Sequence, residues 1–158
     1  MLGVSHVIIN IALVQTYAST TGAFVHPACY LATTIGSIFP DRIEKIFGAR
    51  WIKHRTITHT LSYWLAIIPV GWIIVTHLDK QLLLPFMHPK YAIMVSQLWL
   101  WFAFGILMHL AEDALTMSGI PITPSKKIAL KWFKAGAWQE KIMAAIATGI
   151  YGWLIYNS

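Results

Sequence analysis

At 158 residues the chain has the length of one ordinary domain, yet 57% of it is hydrophobic and 11% is charged, less than half the roughly 25% usual in soluble domains. The charges carry a formal excess of +6 and are clumped, with none in residues 1–40, 56–78 or 91–111. A soluble globule needs charge on every surface segment and a disordered chain needs low hydrophobicity, so both are excluded and a small polytopic membrane protein remains.

A membrane-crossing helix needs about 20 mostly apolar residues. The uncharged first forty residues exceed one span and divide at the small, polar stretch Ala18-Ser19-Thr20-Thr21-Gly22. This predicts spans over 3–18 and 23–39, the second stopped by Pro40. A basic loop follows with Arg42, Lys45, Arg50, Lys53 and Arg55. Spans three and four are expected over 60–78 and 91–111, joined by a loop carrying only Lys80 and Lys90. A second basic loop holds Lys126, Lys127, Lys131, Lys134 and Lys141, and span five covers 141–157. Within that loop, 125–139 reads as a basic amphipathic helix in the cytoplasmic interface. Lys127, Lys131 and Lys134 share one face, and Ile128, Trp132 and Ala135 another; the plainer reading is a connecting helix with snorkelling lysines. The expected fold class is all-α, a single membrane domain over 1–158 with about five transmembrane helices plus the interfacial helix.

Lysine and arginine accumulate in cytoplasmic loops. Both basic loops therefore face the cytoplasm, which puts the N-terminus inside and the C-terminus outside. Excess charge in short loops beside apolar spans suits topology and anionic membrane lipid, and no nucleic acid is expected as a partner. The single cysteine, Cys29, excludes an internal disulfide framework and a cysteine-based zinc site. No basic segment precedes the first apolar run, so a cleavable signal is not expected.

An ionisable group at the centre of a span costs about 2.5–3.5 kcal/mol on insertion scales, so each one needs a reason. The orientation sorts them. His6, Asp41, His54, Arg55, His59, His109, Glu112 and Asp113 fall at the cytoplasmic ends of four spans, whereas His26, His77, Asp79 and His88 fall at the other side. Lysines and arginines set the topology, so this convergence of histidines and acids is independent of it. His109 and Asp113 share a helix face at i, i+4, a spacing that serves one metal ion or a pair capping the span. Glu112, three residues from His109, is placed to be a ligand, to hold a ligand in position, or to act as general base. Arg55 suits bidentate contact with phosphate or carboxylate, or anchors the span as an ordinary inside-facing cation. Asp41 either solvates a helix end or joins the layer. His6 is either a core histidine bonded to a carbonyl or a ligand.

Four stretches together resemble a known set: Ser5-His6, Phe39-Pro40-Asp41, His54-Arg55-Thr56-Ile57-Thr58-His59-Thr60, and His109-Leu110-Ala111-Glu112-Asp113 followed by Gly119-Ile120-Pro121-Ile122-Thr123-Pro124. They resemble the YdjM-like family of inner-membrane metal-dependent hydrolases, over most of residues 1–124. The family's second acid, two residues beyond the Pro-Asp aspartate, is replaced here by Ile43, with Glu44 next. The resemblance implies a multi-pass protein of the bacterial inner membrane with a hydrolytic metal site. On that reading the metal ligands are His6, Asp41, His59, His109 and Asp113, the ion is divalent and zinc by its nitrogen and oxygen donors, and Glu112, His54 and Arg55 are catalytic. A lipid-like or lipid-linked phosphoester is the expected substrate, because the site lies at headgroup depth. The alternative is a non-enzymatic membrane protein whose His/Asp layer, with or without a structural metal, clamps helix ends and binds a protein partner.

The topology has a direct test. Cysteines placed at Lys80 and Lys126 should label from opposite sides of the membrane, and labelling from one side would break the convergence argument.

Overall fold

A computed structural model describes residues 3–46, 55–78 and 88–157. Five long helices carry the chain: α1 (Gly3–Thr21), α2 (Pro27–Ile46), α3 (Leu61–Leu78), α4 (Pro89–Ala114) and α5 (Trp138–Tyr156). A short 3-10 turn, Ile57–His59, precedes α3, and a two-stranded antiparallel hairpin of β1 (Ile120–Thr123) and β2 (Lys126–Ile128) lies between α4 and α5.

The helix boundaries follow local chemistry. α1 runs to Thr21 and stops at Gly22, whose φ of 66° is the left-handed conformation that ends helices. α2 opens with Pro27 in its first turn, where a missing N–H costs nothing, and His26 Nδ1 accepts the Ala28 N–H at 3.2 Å. Hydroxyls within the helices bond back to carbonyls one turn earlier, as in Thr16 to Ala12, Thr34 to Tyr30, Thr76 to Trp72 and Thr148 to Ala144. This satisfies polar side chains without water.

Two expectations are corrected. Pro40 does not stop the second helix, which continues through it to Ile46. Proline removes one N–H and crowds the carbonyl four residues back, but neighbouring groups can take up what is freed, and Ser37 in that loosened turn receives a hydrogen bond from α4. Residues 125–139 do not form an amphipathic helix. Gly119 at φ 60° turns the chain into β1, Pro124-Ser125 makes the hairpin turn, and the segment after β2 is irregular, with Lys131 at φ 56°. The end of α4 recruits it: Leu130 N–H donates to the Ala114 carbonyl at 2.8 Å and Trp132 N–H to Leu115 at 2.9 Å. These carbonyls would otherwise be orphaned at a helix C-terminus, so the backbone demand of α4 overrides the helical spacing of the lysines.

α2 packs most extensively on α4, and the contact is backbone on backbone. A Cβ on Gly36 would lie 2.1 Å from the Phe102 carbonyl oxygen, and one on Gly105 would lie 2.3 Å from that of Thr33. Thr33 Oγ1 donates across the same contact to the Trp101 carbonyl at 3.2 Å. Beneath it, Trp64, Ile106, Leu110 and Ile120 form a buried cluster flanked by Phe39 and Phe102. α1 packs on α5 and α2. The outer faces of α3 and α5 are apolar and exposed, for example Leu65, Val70, Ile73, Ile146, Ile150 and Trp153. Among the described residues, Val95–Ala114 is long and apolar enough to cross a membrane by length and composition, and Leu61–His77 is a shorter apolar helix.

The glycine contact predicts an asymmetric response. Gly105→Ala should lower the melting temperature in detergent by an overpacking cost of about 1–3 kcal/mol. Gly149→Ala, where nothing lies within 4 Å of the added carbon, should leave it unchanged or slightly raised.

Candidate metal centre

Every long helix contributes to one end of the bundle. α1 supplies His6 near its start, α2 supplies Asp41 and Glu44 near its end, and the turn before α3 supplies His59. α4 supplies His109, Glu112 and Asp113 in its last turns, and α5 begins close by with Glu140. His6, His59, His109, Glu112, Asp113 and Glu140 are all buried.

The centre is built around two imidazoles. His109 Nδ1 lies 2.7 Å from the Ser37 carbonyl oxygen; a carbonyl only accepts, so Nδ1 carries the proton and Nε2 presents a lone pair. His59 Nδ1 lies 3.2 Å from Glu44 Oε1 and 3.0 Å from Thr58 Oγ1, whose own hydroxyl donates to Glu44. The carboxylate fixes the His59 proton on Nδ1, so its Nε2 also presents a lone pair. The two Nε2 atoms face each other at 3.2 Å. Asp41 Oδ1 stands 3.2 Å from His59 Nε2 and 3.9 Å from His109 Nε2. Asp113 Oδ2 stands 3.6 Å and 3.8 Å from the same two atoms. Two imidazole nitrogens and two carboxylates thus approach one another, and three-residue groups among them could hold a metal ion.

The donor set fits a metal. Imidazole nitrogen and carboxylate oxygen are ordinary metal donors, and a tetrahedral ion with bonds of 2.0–2.1 Å spaces its donors about 3.3 Å apart, against 3.2–3.8 Å among His59, His109 and Asp113. Each imidazole is oriented from its other nitrogen by an acceptor, the arrangement usual for metal-binding histidines.

His6 stands beside this cage. Its ring lies 4.0 Å from that of His109, Nδ1 is 2.5 Å from Glu112 Oε2, and Nε2 is 3.7 Å from Asp113 Oδ1. His6 Nε2 and Glu112 Oε1 are buried and make no hydrogen bond, so both retain the capacity to bind a ligand or a proton. Asn10, one turn further along α1, is also fully buried with no hydrogen bond to its amide.

Arg55 locks Asp113 in place. Its Nη2 donates to Asp113 Oδ1 at 2.7 Å and its Nη1 to Thr116 Oγ1 at 2.9 Å. Its φ of 61° is unusual for a residue with a side chain, and its backbone N–H donates to Glu44 at 3.3 Å. The guanidinium is thereby engaged with Asp113 and the α4 terminus.

All five residues expected as ligands come together: His6, Asp41 and His109 offer atoms within 4.8 Å of one another, as do His59, His109 and Asp113. Of the three expected catalytic residues, Glu112 pairs with His6, Arg55 pairs with Asp113, and His54 lies outside the described residues. Glu44 was not singled out by sequence. It lies three residues beyond Asp41, one turn on the same face once the helix continues past Pro40, and with Asp41 and His59 forms a third ligand-like group. Glu140, just beyond the 125–139 segment, was not singled out by sequence either. It is fully buried, and its Oε2 accepts the Gly136 N–H at 2.7 Å at the start of α5.

The chain belongs to the YdjM inner membrane protein family, whose profile matches residues 1–157. Searches of curated proteins and of solved structures return no match.

The buried Arg55–Asp113 pair yields a double-mutant cycle on chelator-treated protein. Arg55→Gln leaves the Asp113 carboxylate buried without its guanidinium and should cost about 3–5 kcal/mol. Adding Asp113→Asn should recover most of that loss, and additive effects in thermal melts would refute the coupling.

Proposed function

We propose that this YdjM-family inner membrane protein is a multi-pass, metal-dependent hydrolase whose site faces the cytoplasm and acts on a lipid or lipid-linked phosphoester. The observation that carries the reading is the approach of two imidazole Nε2 lone pairs to 3.2 Å with a carboxylate oxygen on either side. His59, His109, Asp41 and Asp113 would hold the ion, with His6 available from α1. When bound, a divalent ion supplies Lewis acidity and lowers the pKa of a water towards ~7.

The chain's own residues cover the remaining needs of hydrolysis. Glu112, hydrogen-bonded to His6 and with its second oxygen unengaged, is suited to take and return a proton. Ser37 and Glu44 orient the two imidazoles. Arg55 holds Asp113 in a single position and balances its charge, so its role is positioning rather than direct contact with substrate. The family's membrane location, helix lengths of 18–26 residues and the apolar outer faces of α3 and α5 support a bundle crossing the bilayer. The lysine-rich loops support a cytoplasmic N-terminus.

Protein purified in detergent and loaded with zinc should retain about one ion per chain by elemental analysis, as expected of a four-donor site. His109→Ala and Asp41→Asn should abolish retention and the cleavage of a nitrophenyl phosphodiester, while the helical circular dichroism signal survives. Absence of stoichiometric metal under all loading conditions would overturn the proposal. Metal-free variants that melt far lower, from a parent that never turns over, would favour a structural His/Asp layer instead.

A further inference from the structure

The cage is nearly sealed. His6, His59 and His109 side chains are 0% exposed and Asp113 is 2% exposed, whereas the Asp41 side chain is 26% exposed. That accessible edge forms part of the wall of a cavity of about 420 Å³ between the N-terminal end of α1 and the C-terminal end of α2. Gly3, Val4, Val7 and Ile38 make the cavity apolar, and Arg42 stands beside Asp41. Arg42 is exposed and makes no hydrogen bond or ion pair among the described residues. The opposite side is closed, because Arg55, Thr116 and Gly119 tie the hairpin connection onto the end of α4.

We propose that this cavity is the substrate-binding groove, and that its occupant is a membrane phospholipid with its phosphate beside Arg42 and the start of its chain along Val4, Val7 and Ile38. The inference deepens the hydrolase reading and rests on it for the purpose of the groove, though not for its existence. Four observations combine. The volume lies in the range of small-molecule sites, about 300–1,000 Å³. The lining is apolar where a chain would lie. Its unengaged cation is an arginine, the side chain whose planar fork matches phosphate oxygens. The groove also leads to the one cage residue that can be reached from outside. Gly3 adds a physical detail, since no atom lies within 4 Å of where its Cβ would be, leaving the mouth of the groove open. Val4 is 70% exposed, so the apolar wall continues onto the outer surface of the bundle, where lipid chains would approach sideways.

The test uses full-length protein in detergent, with binding of dioleoyl phosphatidate read by native mass spectrometry and metal content read in parallel. Arg42→Gln and Val4→Trp should each weaken phosphatidate binding about tenfold, the loss expected for a charge-assisted hydrogen bond or a filled apolar wall. Both should leave metal retention and the melting temperature unchanged, since neither side chain is in the cage. Dioleoylglycerol, which lacks the phosphate, and inorganic phosphate, which lacks the chain, should bind at least about tenfold more weakly than phosphatidate. Unaltered binding in both variants, or inorganic phosphate binding as well as phosphatidate, overturns the groove assignment. Retained zinc with unaltered lipid binding refutes the groove while leaving the hydrolase reading intact. Arg42-dependent binding by protein that never holds metal refutes the hydrolase reading while leaving the groove.

Discussion

The direct contact of α2 and α4 at Gly36 and Gly105 is the constraint on which the rest of the structure depends. With no Cβ on either side, the two backbones meet, and a Cβ on Gly105 would fall 2.3 Å from the Thr33 oxygen. This closeness sets the depth at which α4 lies against α2. Four residues beyond Gly105, His109 reaches the Ser37 carbonyl, which turns its Nε2 towards His59. A larger residue at either glycine would separate the helices and move His109 off the carbonyl that fixes its proton. Packing of two small residues thus determines the protonation geometry of a buried imidazole about one helical turn away.

Burial of so many ionisable groups is tolerated because nearly every one faces a group of opposite or complementary character. Arg55 balances Asp113, Glu44 receives both the Thr58 hydroxyl and the His59 N–H, and Glu112 receives His6. At one point the two Nε2 atoms and the Asp41 and Asp113 carboxylates approach one another. Such a meeting of imidazoles and carboxylates is a group of side chains that could hold a metal ion. The segment from Thr116 to Trp132, which includes the hairpin, completes the arrangement. It meets the exposed carbonyls of α4, contributes Ile120 to the apolar cluster and gives Arg55 its Gly119 and Thr116 partners. It therefore seals one side of the site, while the junction of α1 and α2 stays open at Asp41.

Much of this was legible in the chain itself. The gaps between charge clusters, with the small, polar stretch 18–22 dividing the first of them, located the five helices, because an apolar helix cannot carry charge through its middle. Sorting histidines and acids by the lysine-rich loops put His6, Asp41, His59, His109 and Asp113 at one end, where the structure brings them together. The i, i+4 spacing of His109 and Asp113 was sufficient to put both on one helix face. Other features were not legible. Lys127, Lys131 and Lys134 have helical spacing, yet Lys127 lies on the hairpin and the other two in irregular chain after it, Lys131 with φ 56°. Glu44, one residue beyond the family's second-acid position, carried no signal until α2 was found to continue through Pro40 and set it one turn from Asp41.

The sequence by itself therefore determined the helical class, the inner-membrane family and the end of the bundle at which the polar residues gather. These depend on composition and on periodicities that are local to each segment. Only the tertiary structure decided which nitrogen of each imidazole meets an acceptor on α2, that Arg55 serves Asp113, that Glu44 joins His59, and that Asp41 is the open edge. Each of these is set by contacts between segments far apart in the chain. Their partners, a carbonyl on α2 or a hydroxyl after α4, carry no signature until close packing brings them within hydrogen-bonding distance.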